Sequence, residues 1–259
     1  MNRRVLPMII GALLLPLGCG SDQMLQSSDL CSDYPESAIA TFEDANLEAE
    51  IRAAYSWPAL LNFTCGWVAG RTRLIVFSGG IESLVGIQNL TGLRWLSLYD
   101  GSITDLSPLA GLANLQELGL RGNSISDLSP LSGLTTLTEL WLGLNSISDV
   151  SALSELTGLT ALSLNGNSIS DISALGGLTS LTDLQMLNNS ITDISALSGL
   201  PRLTLLALDG NPALSDIQPL LDNPGLGPGD RVSLRSTDVS CEDVAALQAN
   251  RVAVTSDCT

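Results

Sequence analysis

From Leu93 onward the chain repeats its apolar and polar positions every 22 residues. The clearest unit, 112–133, reads Leu-Ala-Asn-Leu-Gln-Glu-Leu-Gly-Leu-Arg-Gly-Asn-Ser-Ile-Ser-Asp-Leu-Ser-Pro-Leu-Ser-Gly. One gapless column holds Leu96, Leu118, Leu140, Leu162, Leu184 and Leu206; another holds Ile103, Ile125, Ile147, Ile169 and Ile191. Between them run Asn123, Asn145, Asn167, Asn189 and Asn211. Alternate side chains of a strand share one face, so each Leu-x-Leu triplet predicts a short strand, followed by a turn at the Asn. A unit this short cannot bury its own apolar face. Stacked neighbours can, and the period therefore predicts a solenoid with one continuous core. A degenerate unit precedes the array, with Leu74, Val76, Gly79, Ile81, Leu84 and Ile87 in the matching columns, and Val232-Ser-Leu234 repeats the strand pattern after it.

The pattern Leu-x-x-Leu-x-Leu-x-x-Asn is the leucine-rich-repeat signature. Over about residues 74–220 the Asn-x-Ile-x-Asp-Ile-x-x-Leu unit resembles the 22-residue class of internalins and related bacterial surface proteins. The resemblance implies an α/β fold, a right-handed leucine-rich-repeat horseshoe with parallel strands on the concave face. Short helical turns or extended segments would form the convex face. It also implies a helical N-terminal cap, matched by Phe42 to Tyr55, where Leu47, Ile51 and Tyr55 fall on one helical stripe with acids in the first turns. Both open ends of a solenoid need covering, and Asp243 to Val252 is the candidate at the far end. The expected organisation is a signal peptide at 1–18, an acylated Cys and tether at 19–30, an N-terminal cap at 31–73, repeats at 74–221 and a C-terminal cap at 222–259. The chain departs from internalins in having no Leu-Pro-x-Thr-Gly sorting signal, so their role in host-cell invasion is not carried over.

The first residues read as an export signal: Arg3 and Arg4 precede an apolar run from Val5 to Leu17 that is short for a membrane span. Leu15-Pro16-Leu17-Gly18-Cys19 resembles a bacterial lipobox, although Pro16 departs from the usual Leu. That resemblance implies lipidation of Cys19, and Gly20 after it implies an outer-membrane or surface-exposed lipoprotein of the bacterial cell envelope. Four cysteines remain, and an even number in an exported chain favours disulfides. The repeats would hold the chain ends apart, so the expected pairs are Cys31 with Cys65 and Cys241 with Cys258.

Asp and Glu outnumber Lys and Arg 27 to 11, there is no His, and the net charge is −16. Such a field repels phosphate backbones and argues against a nucleic-acid partner. With neither His nor Lys, catalysis would rest on carboxylates. Glu117 and Glu139 face each other on adjacent strands, but an open surface offers no pocket to shift their ionisation, and no enzyme is expected. No cofactor or metal site is expected either. The column Asp105, Asp127, Asp149, Asp171, Asp193 and Asp216 suits capping of short turns better than calcium, which needs several oxygens converging on one point.

Function is expected on the outward positions of the concave strands. The candidates are Trp95, Tyr99, Glu117, Arg121, Glu139, Trp141, Leu144, Asp183 and Gln185. Trp95, Tyr99 and Trp141 should lie close together, with Arg121 and Leu144 beside them, a composition typical of residues that dominate binding. The alternative is that these aromatics pack on the N-terminal cap or cover the leucines. A monomer binding a protein or peptide is the expected function; a polysaccharide, on which Trp and Tyr could stack, or a passive envelope spacer are the alternatives.

Overall fold

The computed structural model describes residues 23–77 and 80–258; the signal segment, Cys19 and Gly79 lie outside the described residues. Nine strands form one sheet: β3 (Arg73–Phe77), β4 (Trp95–Tyr99), β5 (Glu117–Gly119), β6 (Glu139–Trp141), β7 (Ala161–Ser163), β8 (Asp183–Gln185), β9 (Leu205–Ala207), β10 (Arg231–Ser233) and β11 (Ala253–Thr255). Their order in space follows the chain, and every neighbouring pair is parallel. The register advances by one repeat per strand, placing Trp95 beside Glu117, Glu117 beside Glu139, and onward through Ala161, Asp183 and Leu205. The sheet lines the concave side of the leucine-rich-repeat solenoid. Short 3₁₀ turns such as Ser107–Leu109, Ser129–Leu131 and Ser151–Leu153 return the chain along the convex side.

The Leu and Ile columns are buried throughout, with Leu118, Leu140, Leu162 and Leu184 fully enclosed. Each such side chain contributes about 1.5–3 kcal/mol on burial. The Asn column solves the backbone problem that this stacking creates. Asn123 Oδ1 accepts the Ile103 N–H at 3.1 Å, while Nδ2 donates to the carbonyls of Leu98 and Leu120 at 2.9 and 3.0 Å. Asn145, Asn167, Asn189 and Asn211 repeat the arrangement one coil later each time. A side-chain amide reaches groups that no strand can pair, and among the described residues no buried side-chain nitrogen or oxygen lacks a partner. The Asp column works locally: Asp127 accepts the Ser129 N–H at 2.8 Å and its hydroxyl at 2.9 Å, at the start of the convex turn. These bonds, the backbone N–H first, hold the carboxyl below its ordinary value, and the Ser151 and Ser173 N–H groups do the same for Asp149 and Asp171.

The N-terminal lid is α1 (Ala45–Ala54), with β1 (Ile39–Ala40) paired antiparallel to β2 (Phe63–Thr64) and α2 (Cys65–Ala69) behind them. Leu47 and Ile51 face the core. Asp44 caps the helix through the N–H groups of Asn46 and Leu47, and its other oxygen accepts from Glu82 and Ser83 of the first coil. Burial pushes this carboxyl up, but the four N–H bonds outweigh it and hold it below its ordinary value. At the far end α3 (Gln218–Leu221) and α4 (Cys241–Ala249) cover the last coils, with Val244 and Leu247 turned inward. Cys31 bonds Cys65 and Cys241 bonds Cys258, stapling the two caps as the sequence suggests.

The tether requires correction. Residues 23–30, expected within a polar tether over 19–30, are packed into the cap. Gln23 accepts the Ile39 N–H, Met24 bridges Ile39 in parallel, and Leu25 is buried. Asn89 then fastens the Asp29 carbonyl and the Cys31 N–H. A buried Leu25 and these hydrogen bonds together hold the segment on the cap.

Candidate binding face of the sheet

Four columns of side chains stand on the concave face. The first runs Trp95, Glu117, Glu139, Ala161, Asp183, Leu205; the second Ser97, Gly119, Trp141, Ser163, Gln185, Ala207. The third begins with Phe77 and Tyr99, which are register partners with rings stacked at 5.3 Å, and continues one repeat at a time through Arg121, Gly143 and Asn165. The fourth comprises Asp100, Gly122, Leu144, Gly166, Asn188, Gly210 and Ser236, and every one of these residues has positive φ.

That fourth column explains its own composition. Left-handed backbone is open to Gly and tolerable for Asn and Asp, but costs other L-residues roughly 1–2 kcal/mol. Each large member also lies over the glycine of the next coil: a Cβ on Gly166 would stand 2.7 Å from Leu144 Cδ2, and one on Gly122 would run into the Asp100 carboxylate. Leu144 is the exception in chemistry. It is a leucine in left-handed conformation with φ of 55° and 49 % of its surface exposed.

Beside Leu144 the missing side chain of Gly143 opens a notch of about 270 Å³, lined by Phe77, Tyr99, Asp100, Arg121, Trp141, Gly143 and Ser163. Gly119 makes room for its upper wall, because the Tyr99 hydroxyl lies where a Cβ on that residue would point. Phe77 is 70 % exposed. Arg121 forms no ion pair; among the described residues only Arg52 and Glu48 do. The notch thus joins aromatic planes, a free guanidinium and a carboxylate, at a size that admits one large side chain.

Comparison with known proteins places this face in context. The family described as Leucine Rich repeats (2 copies) matches residues 91–133, 113–155 and 179–222. Internalin C2 of Listeria monocytogenes is 33% identical, with 82% of this chain and 93% of that one covered and a TM-score of 0.74. The chain belongs to the internalin-like leucine-rich-repeat family. Another Listeria monocytogenes internalin (inlF) is 31% identical with a TM-score of 0.75, across 83% of this chain. This chain spans 63% of the length of that relative. A Leptospira interrogans leucine-rich-repeat protein, 21% identical with a TM-score of 0.60 over 71% of this chain and 48% of its own, shares the fold. A comparison with the curated proteins finds no match.

In this internalin-like sheet the expected contact residues divide into two groups. Tyr99, Arg121 and Trp141 line the notch, and Leu144 follows its Gly143 in the chain with its side chain over Gly166. Trp95 does not line it: its indole N–H donates to Glu117 Oε1 at 2.9 Å, which engages both residues with each other. Glu139 stands next to Glu117 in register. In the later coils Gln185 donates to both Asp183 oxygens and accepts from Asn165, whose own Oδ1 holds the Leu187 N–H. Asp209 is likewise occupied by Ser233 and the Arg235 N–H. The polar half of the face bonds to itself, as Trp95 does with Glu117, while the residues lining the notch include Arg121 with no ion pair. Phe77 was absent from the sequence-based set, although its signal was there: Leu74 and Val76 sit 22 residues before Leu96 and Leu98, which puts Phe77 in the Tyr99 column. Among the described residues no three Cys, Asp or Glu side chains converge to hold a metal ion.

Proposed function

We propose that this chain is an exported, lipid-anchored module that binds a protein or peptide at the notch between Phe77, Tyr99, Arg121 and Trp141. The observation that carries this reading is Leu144. A half-exposed leucine in left-handed backbone costs stability twice, once in strain and once in apolar surface left in water, at a position where the same column otherwise uses Asp, Gly, Asn or Ser. A binding partner that covers Leu144 and Phe77 offsets both costs. Short parallel strands on a packed core hold these groups in place, so little side-chain freedom is lost on contact. Tyr, Trp and Arg are the residues that most often dominate such contacts. The notch receives the partner's anchor side chain, and Arg121 meets a carboxylate or carbonyl next to it.

Anchoring rests on the lipobox-like sequence ending at Cys19. Cys19→Ser should move the protein from the membrane to the soluble fraction, and unchanged fractionation would remove the anchor from this reading. The binding face is tested by capture from detergent-solubilised envelope with the wild-type chain and with Tyr99→Ala/Trp141→Ala/Leu144→Asn. A partner held by the first and lost by the second, with matching circular dichroism, supports the reading; equal capture by both defeats it.

A further inference from the structure

The N-terminal cap carries a second apolar feature, away from the notch. Leu60 is 97 % exposed and Leu61 51 %, on the loop that joins α1 to β2. This loop is fastened rather than slack. Arg52 Nη1 donates to the carbonyls of Pro58 and Leu61 at 3.1 and 2.9 Å, the Trp57 indole donates to Leu61 at 3.2 Å, and the Leu61 N–H returns to Pro58. Trp57 leans on Trp67 with centroids 4.4 Å apart, and Phe63 stacks on Trp67 at 5.1 Å. A rigid seat therefore holds two leucines outward into water, at the cost that apolar exposure carries.

Charge marks the same place. In a chain with net charge −16, residues 53–70 contain no Asp, Glu, Lys or Arg. The arginines that bound this stretch lie on its aromatic rings: Arg52 over Phe63 at 4.4 Å and Arg71 over Trp67 at 4.6 Å. Exposed leucines with indoles beneath them are what the boundary between acyl chains and headgroups accepts: Leu enters the apolar layer and Trp takes the interface, while Arg52 is held by Glu48 and by the loop carbonyls and serves to fasten the seat. Two leucine side chains are far too little for a stable contact between copies, which needs about 800 Å² per partner.

Chain connectivity supplies the occupant. Cys19 precedes Gln23, the first residue of the packed cap, by four residues, a reach of at most about 14 Å at full extension. Met24 bridges Ile39, Ile39 pairs with Thr64, and Leu61 lies three residues before Thr64. We propose that the Leu60–Leu61 knuckle inserts into the interface of the same bilayer that holds the Cys19 lipid. This rests on the anchoring reading above. A lipid alone leaves the cap free to swivel; lipid and knuckle together fix which side of the cap faces the membrane.

The test uses the full chain, purified from membranes and reconstituted into phosphatidylcholine vesicles containing lipid brominated in the upper acyl chain, which quenches indoles it touches. Leu60→Trp adds an indole at the tip, and Leu144→Trp adds one on the sheet. The emission added at position 60 should be largely lost in brominated vesicles, while that added at position 144 should persist. Leu60→Ser/Leu61→Ser should leave the vesicles about tenfold faster or more, as expected for losing buried leucine surface. An unquenched probe at position 60 on membrane-bound protein overturns the insertion and leaves the anchor intact. If mass spectrometry finds Cys19 without acyl chains, the anchor itself is wrong and the insertion falls with it.

Discussion

Asn211 gives the sharpest test of how this solenoid is held together. It is fully buried; Oδ1 accepts the Ile191 N–H at 3.0 Å and Nδ2 donates to the Met186 and Leu208 carbonyls at 3.0 and 2.7 Å. Asn211→Ala removes three bonds and leaves one donor and two acceptors without this partner in a dry interior. A buried unsatisfied group costs about 1–3 kcal/mol, and the Met186 carbonyl still accepts from Asn189, so the expected loss is about 3–5 kcal/mol. That is a large share of the roughly 5–15 kcal/mol by which a domain is stable. With a urea slope of about 3 kcal/mol per molar, the upper end of the usual range and fitting for a chain of this length, the midpoint should fall by about 1–2 M. Location adds a second readout. All four tryptophans lie before this coil, Trp57 and Trp67 in the N-terminal cap and Trp95 and Trp141 on β4 and β6, and a repeat array transmits stability from neighbour to neighbour. Far-ultraviolet dichroism should therefore fall before tryptophan emission does, as the coils around Asn211 open first. Asn211→Asp separates hydrogen bonding from size, since it keeps the acceptor but turns a carboxylate oxygen toward two carbonyls. Its folded pKa is raised, so stability is best below the unfolded aspartate value and declines as pH rises through the folded one. A midpoint for Asn211→Ala within about 0.3 M of wild type, which is less than 1 kcal/mol, would refute the view that the Asn column bears the backbone of the solenoid.

Three further outcomes follow from the same geometry. Leu144→Asn, which copies Asn188 in the same column, should match or exceed wild-type stability in thermal melts because about 1 kcal/mol of left-handed strain is relieved, yet should lose partner capture; a clear loss of stability would show that Leu144 is structural. Opening the disulfides should destabilise the protein by about 4 kcal/mol for the Cys31–Cys65 loop and about 3 kcal/mol for the shorter Cys241–Cys258 loop, measured as separate Cys-pair replacements by Ser in calorimetry; unchanged melting would show that the caps hold without them. Asp127, Asp149 and Asp171 are held below 3.8 by Ser N–H bonds, so the stability they add is present above that value and lost as pH falls through their lower folded values. The triple Asp→Asn variant should therefore show a flatter acid limb below pH 3.8 in urea titrations, and an identical limb would exclude these carboxyls.

The repeat region was legible because its cause is local and periodic. Leu118 must be buried wherever Leu140 is, and one spacing of 22 residues set the strands, the register and the Asn column together. The disulfide pairing was equally legible, since the repeats between Cys65 and Cys241 keep the two ends apart. What remained hidden depends on contacts between residues with no shared period. Trp95 reads like Trp141 in sequence, but Glu117 lies within reach of its indole and engages it, whereas Trp141 has Gly143 beside it and opens onto a notch. Phe77 was obscured because its repeat is degenerate, and its exposure follows from an edge coil with few neighbours. Residues 23–30 look like a tether until Leu25 finds the core, and Leu60 looks like any core leucine until Arg52 and Trp57 hold its loop outward. Periodicity determines which side chains are enclosed between coils; only the folded chain decides which of the remaining side chains satisfy one another and which stay free to meet a partner.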